Sequence, residues 1–140
     1  MGHALEMITD QDLKRILSCL RSAVLEVEIL DLWEEKIEQA EIIDQNETPP
    51  DLVTIHSIVT CTEDGEGQRE LEKMGHLTVV FPHEANIDEG KISLLAPLGV
   101  ALLGARAGQA ITWQARNGRL KSLVVDSIAY QPEANGHWHL

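Results

Sequence analysis

The sequence predicts an α+β fold, in which two amphipathic helices precede an antiparallel sheet that curls over one short helix. Three patterns support this prediction. Apolar residues recur at helical spacing before residue 44, and they alternate at strand spacing beyond residue 50. Between residues 96 and 104, a proline opens a short apolar run and a glycine closes it, which is typical of one short helix. The chain has 140 residues, of which 44% are hydrophobic, so it can bury one core.

The first helix is predicted to begin after Thr9, whose hydroxyl can accept a hydrogen bond from a backbone N–H of the first turn. Asp12, three residues later, suits the positive end of the helix dipole. The apolar residues that follow form one helical stripe, made of Leu13, Ile16, Leu17 and Leu20. A break is expected at residues 21–23.

A second helix is predicted from about Glu26 to Ile43, with carboxylates on its outer faces. Its inner stripe is predicted to contain Ile29, Leu30, Trp33, Ile37 and Ala40. Two such helices joined by a short turn form an antiparallel helical hairpin, or short coiled coil. Pro49 and Pro50 end any helix, because each lacks a backbone N–H and restricts the residue before it. We therefore expect a helical arm over residues 1–47 and a sheet domain over residues 48–140, and we expect the sheet domain to fold alone.

Beyond the prolines, apolar segments alternate with polar turns. Strands are predicted at residues 53–61, 76–81, 92–95, 110–115 and 120–130, and the short helix at residues 98–103. A polar turn is predicted at residues 63–67. The pair Asn117–Gly118 predicts a type I′ hairpin turn, in which both residues have positive φ angles.

The formal net charge is −12, and it is unevenly distributed. Residues 1–50 carry 12 acidic and 4 basic side chains, residues 51–90 carry 9 and 2, and residues 91–140 carry 2 and 5. Direct binding to nucleic acid is not expected, because contacts with phosphates need Lys and Arg. The asymmetry suits a protein that presents an acidic end and a mildly basic end to a partner, but solvated faces without a partner explain it equally well.

Other features of the composition narrow the class of protein. No apolar run approaches the roughly 20 residues that span a bilayer, so no membrane segment is expected. Cys19 and Cys61 are far apart in sequence, which favours buried free thiols in a reducing cytoplasm. His137 and His139 have suitable ligand atoms, but they lie at a chain end, which frays. Because phosphate-loop and zinc-ligand patterns are missing from the sequence, neither a cofactor nor a metal is expected.

Three carboxylates near the turn between the helices form a candidate catalytic group. Glu28 and Asp31 are three residues apart and share a helix face, and Glu26 lies just before them. Carboxylates at a hairpin tip can hold a divalent metal ion and its water for phosphoryl transfer. The alternative is that acidic residues in a first helical turn simply interact well with the helix dipole, and the local sequence favours this second explanation.

The loop over residues 96–104 resembles the signature loop of the bacterial Gre transcript-cleavage factors. It has the sequence Ala-Pro-Leu-Gly-Val-Ala-Leu-Leu-Gly, whereas the Gre signature is Ser-Pro-hydrophobic-small-x-x-hydrophobic-hydrophobic-Gly. A subfamily of short Gre relatives, the Rnk-type regulators of nucleoside diphosphate kinase, is more similar still. Their Met-Pro-x-Asp-Val-Val-Thr-Met-Asn-Ser segment resembles residues 48–57, and their ending Tyr-Gln-Pro-Glu-Ala matches residues 130–134.

The resemblance implies a helical hairpin followed by an FKBP-like sheet domain, which docks on RNA polymerase near the secondary channel. The residues implied in docking are Ala96, Pro97, Leu98, Gly99 and Leu102, with Arg106 as a charge partner. Full Gre factors insert a long coiled coil into this channel and hydrolyse backtracked RNA through a metal bound at its tip. Here the second helix has about 18 residues and a length of roughly 27 Å, about half of that arm. We therefore expect a non-enzymatic regulator that competes with longer Gre-type factors.

Three alternatives stay open at this stage. One is transcript cleavage through Glu26, Glu28 or Asp31, and another is indirect regulation of nucleoside diphosphate kinase. The third follows from the FKBP-like fold and is peptidyl-prolyl isomerisation. That chemistry needs a deep pocket lined with aromatic residues, which make up only 4% of this chain. The expected location is the cytoplasm.

Overall fold

The computed structural model describes residues 6–22, 25–64, 76–115, 117–138 and 140. In chain order its helices and strands are β1 (Met7–Thr9), α1 (Asp10–Ser22), α2 (Val27–Gln39), β2 (Glu41–Ile43), β3 (Ile58–Asp64), β4 (His76–Val80), β5 (Lys91–Ser93), α3 (Pro97–Leu102), β6 (Ala110–Gln114) and β7 (Leu120–Tyr130). Single-turn 3₁₀ helices also occur at Gln45–Glu47, Pro82–Glu84, Ile87–Glu89 and Glu133–Asn135. The predicted α+β class is confirmed.

The start of α1 is the one that the sequence predicts. The hydroxyl of Thr9 accepts a hydrogen bond of 3.0 Å from the backbone N–H of Asp12, which satisfies a free donor of the first turn. From the predicted stripe, Ile16 is fully buried, and Leu13 and Leu20 pack against the core. Asp12 does more than the predicted interaction with the helix dipole, because its side chain is buried and makes a tertiary contact described below.

The second helix is shorter than predicted. α2 ends at Gln39, and Ala40 is already extended, with φ −79° and ψ 149°. Residues 41–43, which the prediction placed in the helix, form β2 and pair in parallel with β1. The backbone groups of this segment find partners in another strand, and this tertiary pairing outweighs the local helical pattern.

The described strands include a five-stranded sheet in the order β5-β4-β3-β7-β6. β3 pairs antiparallel with β4 and β7, and β6 pairs antiparallel with β7. The prediction of a fully antiparallel sheet is wrong at one edge, because β4 and β5 are parallel, with Thr78 opposite Lys91. The chain returns between them through residues 81–90, whose two 3₁₀ turns bring it back beside the start of β4.

Two local predictions in the sheet domain are also wrong. The strand expected from residue 53 begins only at Ile58, because Ser57 donates its backbone N–H to the carbonyl of Thr54 in a turn where His56 has φ 73°. The hairpin at Asn117–Gly118 exists, but its turn is not type I′. Among the described residues of this turn only Gly118 has a positive φ, and the backbone N–H of Ala115 donates a hydrogen bond to the carbonyl of Arg119. In the turn predicted at residues 63–67, the first two residues belong to β3 and the others lie outside the described residues.

One hydrophobic core joins the N-terminal helices to the sheet. Its buried cluster contains Ile8, Ile16, Ile29 and Trp33 together with sheet residues such as Val59, Val79, Leu123 and Val125. The boundary between residues 47 and 48 therefore crosses shared packing. It stays a prediction, and the stability of residues 48–140 alone is the measurement that decides it.

The two cysteines are free and half-buried. Burial raises the pKa of both thiols, and for Cys61 the nearby Asp126 adds to the effect, so that its pKa reaches about 12. Both thiols are therefore protonated at neutral pH, as is usual for structural cysteines. None of the described helices has the length and apolar character needed to cross a bilayer.

Candidate functional site

The loop singled out by the sequence connects β5 to β6 and contains α3. Ala96 is the N-cap of α3 and Pro97 its first residue, a position where the missing N–H of proline costs nothing. Both are half-buried at the surface. Leu98 is 9% exposed and Leu102 is fully buried, so these two side chains pack in the core.

Glycines allow this loop to pack closely on its neighbours. A Cβ atom on Gly99 would lie 2.1 Å from the carbonyl oxygen of Ser93, so any larger residue would push α3 away from β5. Gly104 has φ 89°, a left-handed conformation that glycine adopts without strain. A Cβ there would lie 3.0 Å from the carbonyl oxygen of Met7. The Gly residues of the motif are thus explained by backbone packing.

Two side chains of α2 hold the loop in place. The indole N–H of Trp33 donates a 2.8 Å hydrogen bond to the carbonyl of Leu94, just before the loop. The ammonium group of Lys36 donates to the carbonyls of Ala101, at 3.1 Å, and Val100 in the last turn of α3. The positive charge there is also favoured by the helix dipole.

Lys36 is a buried cation with a carboxylate partner. Its Nζ lies 3.0 Å from Oε2 of Glu6, and its side chain is 8% exposed. Burial lowers the pKa of Lys36, and the charge and hydrogen bond of Glu6 oppose that effect. Such a pair is costly to break, because removal of one partner leaves the other charge in a poorly solvated place.

Arg106, the predicted charge partner, already has a partner within the chain. Its guanidinium nitrogens Nε and Nη2 lie 2.8 Å and 2.7 Å from Oδ1 of Asp51. Backbone hydrogen bonds from Val53 to Ala105 and from Gly104 to Val53 run beside this ion pair. Arg106 therefore fixes the end of the loop to the segment after the prolines, and it keeps part of its surface accessible.

A groove of about 1000 Å³ lies between α2 and β6, and we call it the α2–β6 groove. Its α2 wall carries acidic residues, namely Glu26, Glu28, Asp31 and Glu35. Its other wall is formed by residues 109–115, and the loop that contains α3 also lines it, through Leu95, Ala96, Pro97, Val100 and Ala101. The structure thus brings the candidate carboxylates and the accessible part of the loop to one surface.

The candidate carboxylates themselves are exposed. Glu26 is the N-cap residue of α2 and makes no side-chain capping hydrogen bond, and Glu28 lies in the first turn. Within the described residues, His, Cys, Asp and Glu side chains do not gather in any group of three that could hold a metal ion. This arrangement agrees with the interaction of acidic residues with a helix N-terminus.

A second polar cluster joins α1 to the sheet domain. Oδ2 of Asp12 accepts a 3.0 Å hydrogen bond from the backbone N–H of Ile55, while the buried carboxylate of Glu133 accepts one of 2.8 Å from the hydroxyl of Thr54. Burial raises the pKa of Asp12 to about 7; the Ile55 hydrogen bond and the Arg15 charge oppose the shift, and Glu133 adds to it.

Comparison with known proteins identifies the family. The family model described as "Transcription elongation factor, GreA/GreB, C-term" matches residues 46–130, which include the whole loop and all five strands of the larger sheet. The chain belongs to the GreA/GreB family. The predicted resemblance is confirmed. The family loop lies within the matched region, but the residues of α2 that hold it lie outside that region.

The relatives show how far the similarity extends. The Regulator of nucleoside diphosphate kinase of Escherichia coli (strain K12) is 32% identical over 135 residues, which cover 96% of each chain. Transcription elongation factor GreA of Roseiflexus sp. (strain RS-1) is 40% identical over 88 residues, which cover 63% of this chain and 53% of that protein. A solved transcription elongation factor GreA/GreB from Nitrosomonas europaea has a TM-score of 0.66 and 29% identity, over 91% of this chain and 100% of that one.

The sequence reasoning missed the residues that position the loop of this GreA/GreB family member. Lys36 was not among the predicted site residues, although it continues the spacing of Ile29, Trp33 and Ala40 along one helix face. A single cation in an apolar stripe was the available signal. Asp51 carried no such signal, because its partner is 55 residues away.

Proposed function

We propose that this protein is a non-enzymatic transcription regulator that binds RNA polymerase through the surface of the Ala96–Pro97 turn. The observation that carries the proposal is the construction of this turn. It matches the family loop, and its two residues are partly exposed. The side chains of Trp33 and Lys36 donate hydrogen bonds to backbone carbonyls on either side of it. A rigid surface loses little conformational entropy when it binds.

The proposed place of binding is the entrance of the secondary channel, where this chain would compete with longer Gre-type factors. The length of the arm supports competition rather than cleavage. α2 has 13 residues, which gives a helix of about 20 Å. After Gln39 the chain turns back into β2, which pairs with β1. The candidate carboxylates therefore stay close to the sheet domain, whereas the arm of full Gre factors, by resemblance, reaches about twice as far.

Competition for core RNA polymerase against a labelled full-length Gre factor tests the proposal. We expect displacement by the unmodified chain. Pro97→Asp should weaken displacement at least tenfold, because it places a charge in the apolar centre of the contact. Ile87→Asp is the matched control, since Ile87 is an exposed apolar residue in a 3₁₀ turn outside the loop. If Pro97→Asp and the control compete equally well, the docking surface lies elsewhere.

Transcript cleavage through Glu26, Glu28 or Asp31 is the alternative, and stalled elongation complexes with Mg²⁺ would reveal it. We expect no RNA shortening above the polymerase's own rate. The 32% identity to a regulator of nucleoside diphosphate kinase favours a further candidate, an effect on that enzyme that acts through transcription. A direct effect would persist with purified kinase and no polymerase. The helical hairpin, the FKBP-like architecture, the boundary at residue 47 and a cytoplasmic location remain parts of this proposal.

A further inference from the structure

The second wall of the α2–β6 groove is the edge of a strand. Side chains of a strand alternate between its two faces, yet residues 109–115 all line the groove without a gap. A groove that contacts all seven consecutive residues must therefore run along the edge of the strand. β6 is also the last strand of the sheet, because among the described strands it pairs with β7 alone.

The hydrogen-bond register shows which backbone groups face the groove. The carbonyl of Gln109 accepts from Val125, and the N–H of Ala115 donates to Arg119, so both residues point towards β7. Pairing between them is regular, and Ile111 and Trp113 therefore face β7 as well. The N–H and C=O groups of the three intervening residues point away from the sheet.

These three residues are Ala110, Thr112 and Gln114. Within the described part of the chain, none of their backbone groups has a hydrogen-bond partner outside the sheet. An edge of this kind is a template for another strand, because an added strand satisfies the donors and acceptors.

The charge of the opposite wall indicates the chemistry of the occupant. The acidic residues of α2 that line the groove are exposed, and no ion pair among the described residues involves them. The basic residue on this wall, Lys36, is buried and neutralised by Glu6. An occupant with Lys or Arg side chains would meet four carboxylates and no free cation on this wall.

We propose that the α2–β6 groove binds an extended segment rich in Lys or Arg from a partner protein, which adds to the sheet as a strand beside β6. The backbone of β6 supplies hydrogen bonds, and the carboxylates of α2 supply the preference for basic side chains. The inference does not depend on the polymerase being the partner, since it rests on the strand edge and the charged wall alone.

The backbone part of the proposal is tested with the full chain and the peptide acetyl-Lys-Val-Lys-Val-Lys-Val-Lys-amide. Amide hydrogen exchange is followed by NMR. We expect binding to slow exchange at Ala110, Thr112 and Gln114 at least tenfold, and to leave the already paired amides of Ile111 and Trp113 unchanged. Binding without this protection, or no binding at millimolar peptide, would overturn the proposal.

Thr112→Pro removes one outward N–H that β7 does not use, and Thr112→Ala is its control because it keeps that group. We expect the proline variant to bind the peptide roughly tenfold more weakly and the alanine variant to bind like the original. Equal binding by both would contradict the model. If the proline variant loses exchange protection at Ile111 and is therefore misfolded, a peptide N-methylated at alternate residues gives the same test on the ligand side.

The charge part is tested with two matched double variants of α2. Glu28→Gln with Glu35→Gln removes two charges from the groove wall, whereas Glu34→Gln with Glu38→Gln removes two exposed charges outside it. We expect the first pair to weaken the lysine peptide about fivefold to tenfold at low salt and the second pair less than twofold. Equal effects of the two pairs would show that only net charge matters, and equal affinity for a peptide with Glu in place of Lys would show that charge does not contribute. Either result would reject the assigned wall.

Discussion

Replacement of Asp12 by Asn should remove a large part of the pH dependence of stability. The carboxyl is 2% exposed, its Oδ1 has no hydrogen-bond partner among the described residues, and its pKa is raised from 3.8 to about 7. A group with a raised pKa stabilises the fold when protonated. This stabilisation is complete below about pH 4 and is lost as the pH rises through 7.

The magnitude follows from the shift itself. A change of about three pKa units corresponds to roughly 4 kcal/mol of unfolding free energy between pH 4 and pH 8, at about 1.4 kcal/mol per unit. Asn has the same shape and can still accept the hydrogen bond from Ile55. The variant should therefore be more stable than the original chain at pH 8, by an amount that approaches this value.

Urea unfolding followed by tryptophan fluorescence at pH 5 and pH 8 gives the comparison, since the buried Trp33 reports on the core. The difference between the original chain and Asp12→Asn isolates the carboxyl, because every other titratable group is common to both proteins. Asp10→Asn, an exposed carboxyl in the same turn, is the control. If Asp12→Asn keeps the pH slope of the original chain, the carboxyl is solvated and the reasoning from burial is wrong.

Three further predictions concern Lys36, Gly99 and the isolated sheet domain. Lys36→Met should lower the unfolding free energy by about 2 kcal/mol, because it leaves the carboxylate of Glu6 and two backbone carbonyls without their partner. It should also weaken competition for the polymerase by more than this loss of stability explains. Urea unfolding and the competition assay measure the two effects. Gly99→Ala should cost at least about 2 kcal/mol by urea unfolding, since its Cβ would meet the Ser93 carbonyl, and a neutral result would show that α3 can move freely. Residues 48–140 should fold alone with a much lower melting temperature than the full chain. The reason is that they lose the packing of the four buried N-terminal side chains of the core, worth about 1.5–3 kcal/mol each. A circular dichroism melt without a cooperative transition would refute the boundary.

The sequence by itself determined the features that depend on neighbours along the chain. The cap at Thr9, the strand from Leu120 to Tyr130 and the short helix opened by Pro97 follow from local backbone chemistry, and the structure has them within a residue or so. The family also followed from the sequence, because its loop is a contiguous motif.

The tertiary structure decided the features that depend on distant partners. Residues 41–43 follow a helical pattern but form a strand, since the backbone of β1 offers them hydrogen bonds. Lys36 is buried because the carbonyl end of α3 and the carboxylate of Glu6 meet it there. The free edge of β6 and the acidic wall of α2 form one groove only after the sheet is assembled. Pairing energy and desolvation act between residues that the fold brings together, and a local pattern contains neither.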